Sequence, residues 1–311
     1  MRGLISNELM KIYSRRLTQI LLLLLVIFAA SASVFMKMDY KPSRDWRTET
    51  KQLIQTNEER LKLAELSPQL QAEAENKIKI AKYRLENNIP VPFGNPWLAL
   101  LKLTGLVEMV EIVAIIIAAD MVAREYTDGT MKFLLIRPHS RTAILSSKYM
   151  AVSLFVLMTL ILTVTCAYVT NILCYGVGDI HTTDLFLNQE GQVIRLNVFT
   201  QVIKMYGLSI FPIMSYITIA FAISTILRNS ALAVGSSLLI MILGNSMIEA
   251  TAKIEWLKFL LFANSDVSLY IFHLPARPEM TLGFSISVLL VYIFGFLFIN
   301  WIVFKKRDVS I

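Results

Sequence analysis

Apolar residues fall along the chain in six long runs, which are separated by polar connectors. A helix needs about 20 mainly apolar residues to cross the hydrocarbon core of a bilayer, and each run reaches or approaches that length. The pattern predicts six spanning helices, at residues 17–36, 97–123, 149–170, 203–227, 231–247 and 282–304. Lys102, Glu108 and Glu111 interrupt the second run, and Pro212 lies in the fourth. We therefore expect an all-α membrane protein.

The connectors differ in charge. Lys and Arg are concentrated in segments 1–16, 124–148 and 305–311, and Arg228 marks the short turn between the fourth and fifth runs. Short cytoplasmic flanks of spanning helices carry an excess of basic residues, so this distribution predicts that both termini are cytoplasmic. The first run follows basic residues and precedes small ones, as in a signal peptide, but it is long enough to span and is interpreted as an uncleaved helix.

Segment 1–16 has the spacing of an amphipathic helix. Ile5, Leu9, Ile12 and Tyr13 share one face, whereas Glu8, Lys11 and Arg15 point the other way. The pattern is typical of a helix that lies in the membrane interface, with its charged face in water. An ordinary solvated N-terminus is the alternative.

Two further segments lie outside the predicted spans. Segment 37–96 contains Ser43 and Ser67-Pro68 as helix starts and apolar residues at helical spacing, which predicts an extracytoplasmic helical hairpin. A lid or a docking surface suits it better than a ligand site. Segment 249–279 contains an apolar stretch, 256–262, that is too short to span. We expect it to be re-entrant, as a gate would be, or interfacial.

Composition narrows the classes of function. The chain of 311 residues is 55% hydrophobic and 17% charged, with a net charge of +7, and its basic residues flank the apolar runs, so nucleic-acid binding is not expected. Cys166 and Cys174 are eight residues apart, about 12 Å along a helix, which is too far for a disulfide. The His residues stand alone, and no G-x-x-x-x-G-K-[ST] or H-E-x-x-H motif occurs, so neither catalysis nor a bound cofactor is expected.

The connector 124–148 contains an element of its own. Glu125 and Tyr126 end the second run, Gly129 suits a helix end, and Thr130 can cap a new helix. That helix, over 131–136, is short and apolar, and Pro138 stops it. Exposed apolar surface of this kind usually has a partner. The alternative is that the loop packs against helix ends of its own chain.

The stretch E-Y-T-D-G-T-M-K-F-L-L-I-R-P-H-S-R, residues 125–141, resembles the cytoplasmic loop of type-2 ABC transporter permeases, whose pattern is approximately E-Y-x-x-G-T-x-x-x-L-L-x-R-P-x-S-R. The resemblance extends to the basic N-terminal helix, the large loop after the first span and the basic C-terminal tail. In that family the N-terminal helix is an elbow helix, and the loop helix is a coupling helix that docks on an ATP-binding subunit. The resemblance implies a docking role for Glu125, Gly129, Thr130, Met131, Lys132, Phe133, Leu134, Leu135, Ile136 and Arg137.

The same resemblance implies the permease subunit of an ATP-driven exporter in a bacterial cell membrane. Its partners would be two ATP-binding subunits, which hold ATP and Mg, a second permease subunit, identical or homologous, and membrane lipid. The implied cargo is an amphipathic peptide or an antibiotic, with a lipid-linked molecule or a sodium ion as alternatives. An ATP-independent membrane sensor or scaffold is an alternative of another class.

Two carboxylates fall within the second apolar run. Glu108 and Glu111 are spaced i and i+3, so they share one face of a helix. Ionisable groups at membrane depth are costly and mark functional sites by default, which makes both residues candidates for a pathway that carries a cationic or amphipathic substrate. Alternatively, the span begins later, and both lie near the outer interface in water or paired with Lys102 or Lys204.

Overall fold

The computed structural model describes residues 1–39, 45–62, 68–92, 94–130, 140–188, 190–246, 254–272, 277 and 279–306. These residues are mainly helical, and four stretches are long and apolar enough to cross a membrane: Arg16–Met38, Arg141–Tyr175, Val198–Leu227 and Leu282–Lys306. The prediction of a helical membrane protein is therefore confirmed at this coarse level.

The elements follow one another in a simple order. The first half of the chain contains α1 (Arg2–Ser14), α2 (Arg16–Asp39), α3 (Trp46–Leu61), α4 (Pro68–Glu86), α5 (Pro96–Lys102), α6 (Gly105–Thr127) and α7 (Arg141–Tyr175). The second half contains β1 (Thr183–Leu187), β2 (Val193–Asn197), α8 (Val198–Leu208), α9 (Ile210–Leu227), α10 (Ser230–Ser246), a 3-10 turn (Glu255–Phe259), α11 (Leu261–Ser265), α12 (Ser268–Ile271) and α13 (Leu282–Lys306).

Helix α6 lies at the centre of the bundle. It packs against α7, α9 and α10, and α9 packs in turn against α13. Small side chains such as Ala114, Ala118 and Ala119 are buried along α6, and they allow the neighbouring backbones to approach closely. Helix α2 covers α7 on one side of the bundle. Three of its charged residues, Glu111, Asp120 and Glu125, are buried.

Two predicted spans are broken. The expected helix over 97–123 is divided into α5 and α6 at Leu103, and the one over 203–227 is divided at Ser209 within the longer stretch of α8 and α9. The buried hydroxyl of Tyr206 donates to the carbonyls of Leu100 and Leu103, at 3.1 and 3.2 Å. A side chain of α8 thus satisfies backbone acceptors at the end of α5, which is the condition for irregular backbone inside a membrane protein.

A β-hairpin follows α7, which the all-helical prediction missed. Strands β1 and β2 are antiparallel, with Thr183 opposite Asn197 and Leu187 opposite Val193. Leu185, Phe186 and Leu187 are buried, whereas sequence reasoning found no strand there because five-residue strands carry little periodicity.

The α3–α4 pair, which we call the helical hairpin, attaches to these strands. The two helices pack together, and Ala74 and Ala81 of α4 are buried. Asp45 caps α3 by accepting a hydrogen bond from the Arg47 amide at 3.1 Å, and the predicted cap Ser43 lies outside the described residues. Arg84 of α4 forms an ion pair with Asp184 of β1, so the helical hairpin and the β-hairpin are joined.

The bundle has two distinct ends. We call one the terminal end, since α1, the end of α6, the start of α7 and the end of α13 meet there; Arg141, for example, donates to the carbonyl of Lys305 at 3.5 Å. We call the other the hairpin end, because it carries the α3–α4 pair and the β-hairpin. In the described part of segment 249–279, α11 packs against α9, α10 and α13.

Candidate functional site

Helix α1 lies against α7 at the terminal end. Ile12 is fully buried, and the ring of Tyr13 meets that of Phe155 edge to face at 5.4 Å between centroids. The apolar face that the sequence predicted for α1 therefore contacts the protein's own helices. Tyr13 itself is 41% exposed, and burial of the rest of its ring raises the pKa of its hydroxyl.

Four charged side chains meet where α1, α6 and α7 come together. We call them the buried charge ring: Glu8, Lys11, Glu125 and Lys148. Lys148 of α7 has no exposed surface, and its Nζ donates to Glu125 Oε1 at 2.6 Å and to Glu8 Oε2 at 2.9 Å. Lys11 Nζ donates to the same two carboxylates, at 3.1 Å to Glu8 and 3.2 Å to Glu125. The positive and negative charges alternate and cancel, and they come from α1, α6 and α7.

The sequence interpretation of the charged face of α1 was wrong. Glu8, Lys11 and Arg15 were expected in water, but Glu8 is 4% exposed and all three form ion pairs with residues far along the chain. A helical periodicity identifies which residues share a face, but it cannot reveal that another helix presents opposite charges to that face. Lys148, expected only as a basic flank of α7, is the central member of the ring.

The ring favours the ionised forms of Glu8 and Lys11. Burial opposes the charge on Glu8, but the charges and hydrogen bonds of Lys148 and Lys11 outweigh it, so the pKa of Glu8 lies below its ordinary value. Burial likewise opposes the charge on Lys11, and the carboxylates of Glu125 and Glu8 outweigh it and raise the pKa of Lys11. Both groups remain charged near neutral pH, and separating them would leave buried charges without partners.

A second cluster is centred on Asp120, which is 4% exposed. Its Oδ2 accepts from Arg15 at 3.0 Å and from Arg124 at 3.3 Å, and its Oδ1 accepts from the hydroxyl of Ser230. The cluster joins the α1–α2 junction, α6 and the start of α10. Sequence reasoning missed Asp120, although an acidic residue late in an apolar run is a signal by the rule that also selected Glu108 and Glu111.

The described part of the 124–148 connector forms the base of the predicted coupling loop. Glu125 is a buried member of the charge ring, Gly129 has a positive φ of 70°, and the Thr130 hydroxyl donates to the carbonyl of Glu125 at 3.4 Å. The guanidinium of Arg228 lies over the Tyr126 ring at 5.2 Å. The remaining predicted docking residues lie outside the described residues: Met131, Lys132, Phe133, Leu134, Leu135, Ile136 and Arg137.

Glu108 and Glu111 lie at the hairpin end, far from the charge ring. They line a cavity of about 200 Å³ between the first turns of α6 and α9 and the segment 265–268. Glu111 is buried, with 6% of its surface exposed, whereas Glu108 is exposed. No ion pair joins either carboxylate to Lys102, Lys204 or any other basic residue in the described ranges. Of the two alternatives to a pathway role, pairing with Lys102 or Lys204 is therefore not observed, whereas the exposure of Glu108 agrees with a position in water.

Comparison with known proteins finds one family model and relatives in Bacillus subtilis, one of which is named as a membrane protein. Residues 77–310 match the family model described as "Protein of unknown function (DUF2705)". The chain is 33% identical over 317 aligned residues to "Uncharacterized protein YhcI" of Bacillus subtilis (strain 168), with 100% of both chains covered. It is 29% identical over 206 residues to "Uncharacterized membrane protein YdbK" of the same organism, which covers 65% of this chain and 79% of that protein. With three quarters of its length in the match and a full-length relative, the chain belongs to the DUF2705 family.

Proposed function

We propose that this protein is the membrane-spanning permease subunit of an ATP-driven ABC exporter. It lies in the bacterial cell membrane with both termini in the cytoplasm, so that the terminal end is the cytoplasmic end. Six spans are formed by α2, α5 with α6, α7, α8 with α9, α10 and α13. A second permease subunit completes the translocation pathway, and two separate ATP-binding subunits bind ATP and Mg and hydrolyse the ATP.

The buried charge ring is the observation that carries this proposal. A permease that is driven from outside must transmit movement from its cytoplasmic loop into its spanning helices. Glu125 is the second residue of the connector 124–148 and Lys148 is its last, and these two residues are joined at 2.6 Å inside the protein. The ring thus closes the base of the loop and fastens α1 to it through Glu8 and Lys11.

The ion pairs of the charge ring make the base of the loop move as one body. Removing one partner from a buried ion pair costs about 3 to 5 kcal/mol, since the other charge remains buried and unpaired. A force on residues 131–136 therefore displaces α6, α7 and the elbow helix α1 together instead of pulling the loop away from them. The Asp120 cluster extends the same unit to the start of α10 through Ser230.

In the proposed cycle, ATP binding brings the two ATP-binding subunits together, and the coupling helices convert that movement into a switch from inward to outward access. Such a switch requires contacts that differ between the two states. The cargo that we favour is an amphipathic peptide or an antibiotic, with a lipid-linked molecule or a sodium ion as alternatives in the same mechanism. These cargo classes rest on the resemblance of the loop and on the acidic residues near the hairpin end.

The decisive experiment compares the tagged protein with a Phe133→Asp/Leu134→Asp variant after purification in detergent from membranes of its own host. Co-purifying chains are identified by mass spectrometry, and their ATP hydrolysis is measured. We expect a chain with a Walker A motif, and its ATPase activity, to co-purify with the parent and to fall at least ten-fold in the variant, because two carboxylates replace the apolar docking surface.

A matched control places the same charge on the opposite side of the membrane. Leu53 and Val177 are 43% and 89% exposed at the hairpin end, so Leu53→Asp/Val177→Asp should keep its ATPase partner. If no ATPase accompanies the parent, or if the loop variant retains it, the exporter proposal fails. A membrane sensor or scaffold that works without ATP would then be the better interpretation.

A further inference from the structure

The cavity at the hairpin end is built from two kinds of wall. Its apolar wall consists of Val107, Met205, Pro212 and Val267, and its polar wall carries the carboxylates of Glu108, Glu111 and Asp266 together with hydroxyls. A single water molecule needs about 10 to 15 Å³ of such space, so a cavity of about 200 Å³ has room for a larger group. An ammonium group with a short alkyl chain fits such a space.

The negative charge in this cavity is not balanced. Its described lining contains three carboxylates and no Lys, Arg or His. Asp266, which is exposed, accepts from the amide and hydroxyl of Ser268 at 3.1 and 2.6 Å. Only 6% of the surface of Glu111 is exposed, yet no described residue donates a hydrogen bond to it or forms an ion pair with it. A buried carboxylate without a protein partner is costly unless a cation or a proton accompanies it.

A second, independent group points to the same space. Tyr216 of α9 is 3% exposed, and its hydroxyl has no hydrogen-bond partner among the described residues. The hydroxyl lies near Ser265, which lines the cavity, and within electrostatic reach of Glu108 and Glu111. Buried tyrosine hydroxyls normally have a partner, so this one, which has none among the described residues, can accept a hydrogen bond from a donor that enters beside Ser265.

We propose that this cavity binds the ammonium group of an organic cation. In that arrangement Glu111 receives the ammonium in the interior, Glu108 and Asp266 attract it at the mouth, and the Tyr216 hydroxyl provides a further acceptor. A chelated metal ion suits the site less well, because no three His, Cys, Asp or Glu residues in the described ranges converge as metal ligands would. The apolar wall favours a cation that carries hydrocarbon over a small inorganic one.

This inference rests on the proposed function for its biological meaning: it assigns the cargo of the exporter to amphipathic molecules with an exposed amine, such as cationic peptides. The binding site itself is independent of any ATPase. A result on amine binding therefore does not depend on the outcome of the co-purification experiment, and each proposal can fail alone.

The test titrates n-butylammonium into the purified full chain at pH 7.5 and follows its binding by saturation-transfer NMR. We expect saturable binding that weakens at least ten-fold in Glu111→Gln, a substitution that keeps the shape of the side chain and removes its charge. Glu255→Gln removes an exposed carboxylate at the same end of the bundle and should leave the affinity unchanged. 1-Butanol, which has the same chain without the charge, should bind at least ten-fold more weakly than the amine.

Three outcomes overturn the proposal. The first is an absence of saturable amine binding to the parent, which would mean that Glu111 is satisfied by a proton. The second is equal binding to the parent and to Glu111→Gln. The third is displacement of the amine by sodium chloride at equal concentration while potassium chloride has no effect, which would identify a sodium site. Circular dichroism of each variant, with the helical content retained, establishes that the comparison concerns folded protein.

Discussion

Lys148 illustrates at the residue scale how one charge can organise several elements. Its ammonium group has no contact with solvent and has two carboxylates within 2.9 Å, one from α1 and one from α6. Taking an ion out of water costs several kcal/mol, and here the cost is offset by two charge-assisted hydrogen bonds and by the pairing of Lys11 with the same carboxylates. Glu125 Oε2 nevertheless remains without a described partner.

We expect Lys148→Met to lower the free energy of unfolding by about 3 to 5 kcal/mol. Glu8 and Glu125 would remain buried, and the half-exposed Lys11 would be the one remaining cation of the ring that pairs with them. Thermal unfolding in detergent, followed by intrinsic fluorescence, measures the loss. Adding Glu8→Gln and Glu125→Gln to the same chain should recover part of it, since the repelling carboxylates are then neutral. Lys305→Met, at an exposed position, is the control. A loss below about 1 kcal/mol for Lys148→Met would contradict the energetic importance of the ring.

At the element scale, the cavity depends on how α11 is held. Ser265 is the last residue of α11 and Asp266 follows it, and α11 packs against α9, α10 and α13. Gly244 of α10 lies against the ring of Phe262 in α11, and a Cβ added at Gly244 would collide with that ring. Because Gly244 has no side chain, α11 can pack closely against α10. This packing fixes the position of Ser265 and Asp266 in the cavity lining.

Gly244→Ala tests this packing. The added methyl group must displace Phe262, and overpacking of this kind costs about 1 to 3 kcal/mol. We also expect n-butylammonium binding to weaken, because α11 supplies the segment that lines the cavity. Gly235→Ala on the same helix meets open space, so it should be neutral or slightly stabilising in thermal unfolding. Equal stability of the two variants would mean that α11 relaxes away from α10 without cost.

At the scale of the whole molecule, the orientation in the membrane links the proposals. The terminal end carries the charge ring and the base of the loop, and the hairpin end carries the acidic cavity, so the two sites lie at opposite ends of α6. An exporter requires the loop on the side where ATP is present and the cavity toward the outer side. The excess of basic residues at the terminal end supports that orientation.

Labelling with a membrane-impermeant maleimide tests this orientation. In a background in which Cys166 and Cys174 are replaced by Ala, we expect Val177→Cys to react in intact cells, since Val177 is 89% exposed at the hairpin end. Ser14→Cys, at an exposed position of the terminal end, should react only after the membrane is permeabilised. The reverse pattern would place the loop outside the cell and would exclude coupling to a cytoplasmic ATPase.

The sequence by itself determined the helical membrane class, the presence of a helix at the N-terminus and the position of a helix end near Gly129. These properties depend on local hydropathy, spacing and capping, which neighbouring residues reveal. It also singled out Glu108 and Glu111, because ionisable residues in apolar runs are conspicuous. Only the tertiary structure decided that Glu8 and Lys148 pair across 140 positions, that the Tyr206 hydroxyl donates to the carbonyls at the end of α5, and that Glu108 and Glu111 line one cavity with Asp266. Such contacts join residues distant in the chain, and no local pattern encodes which helix will pack against which.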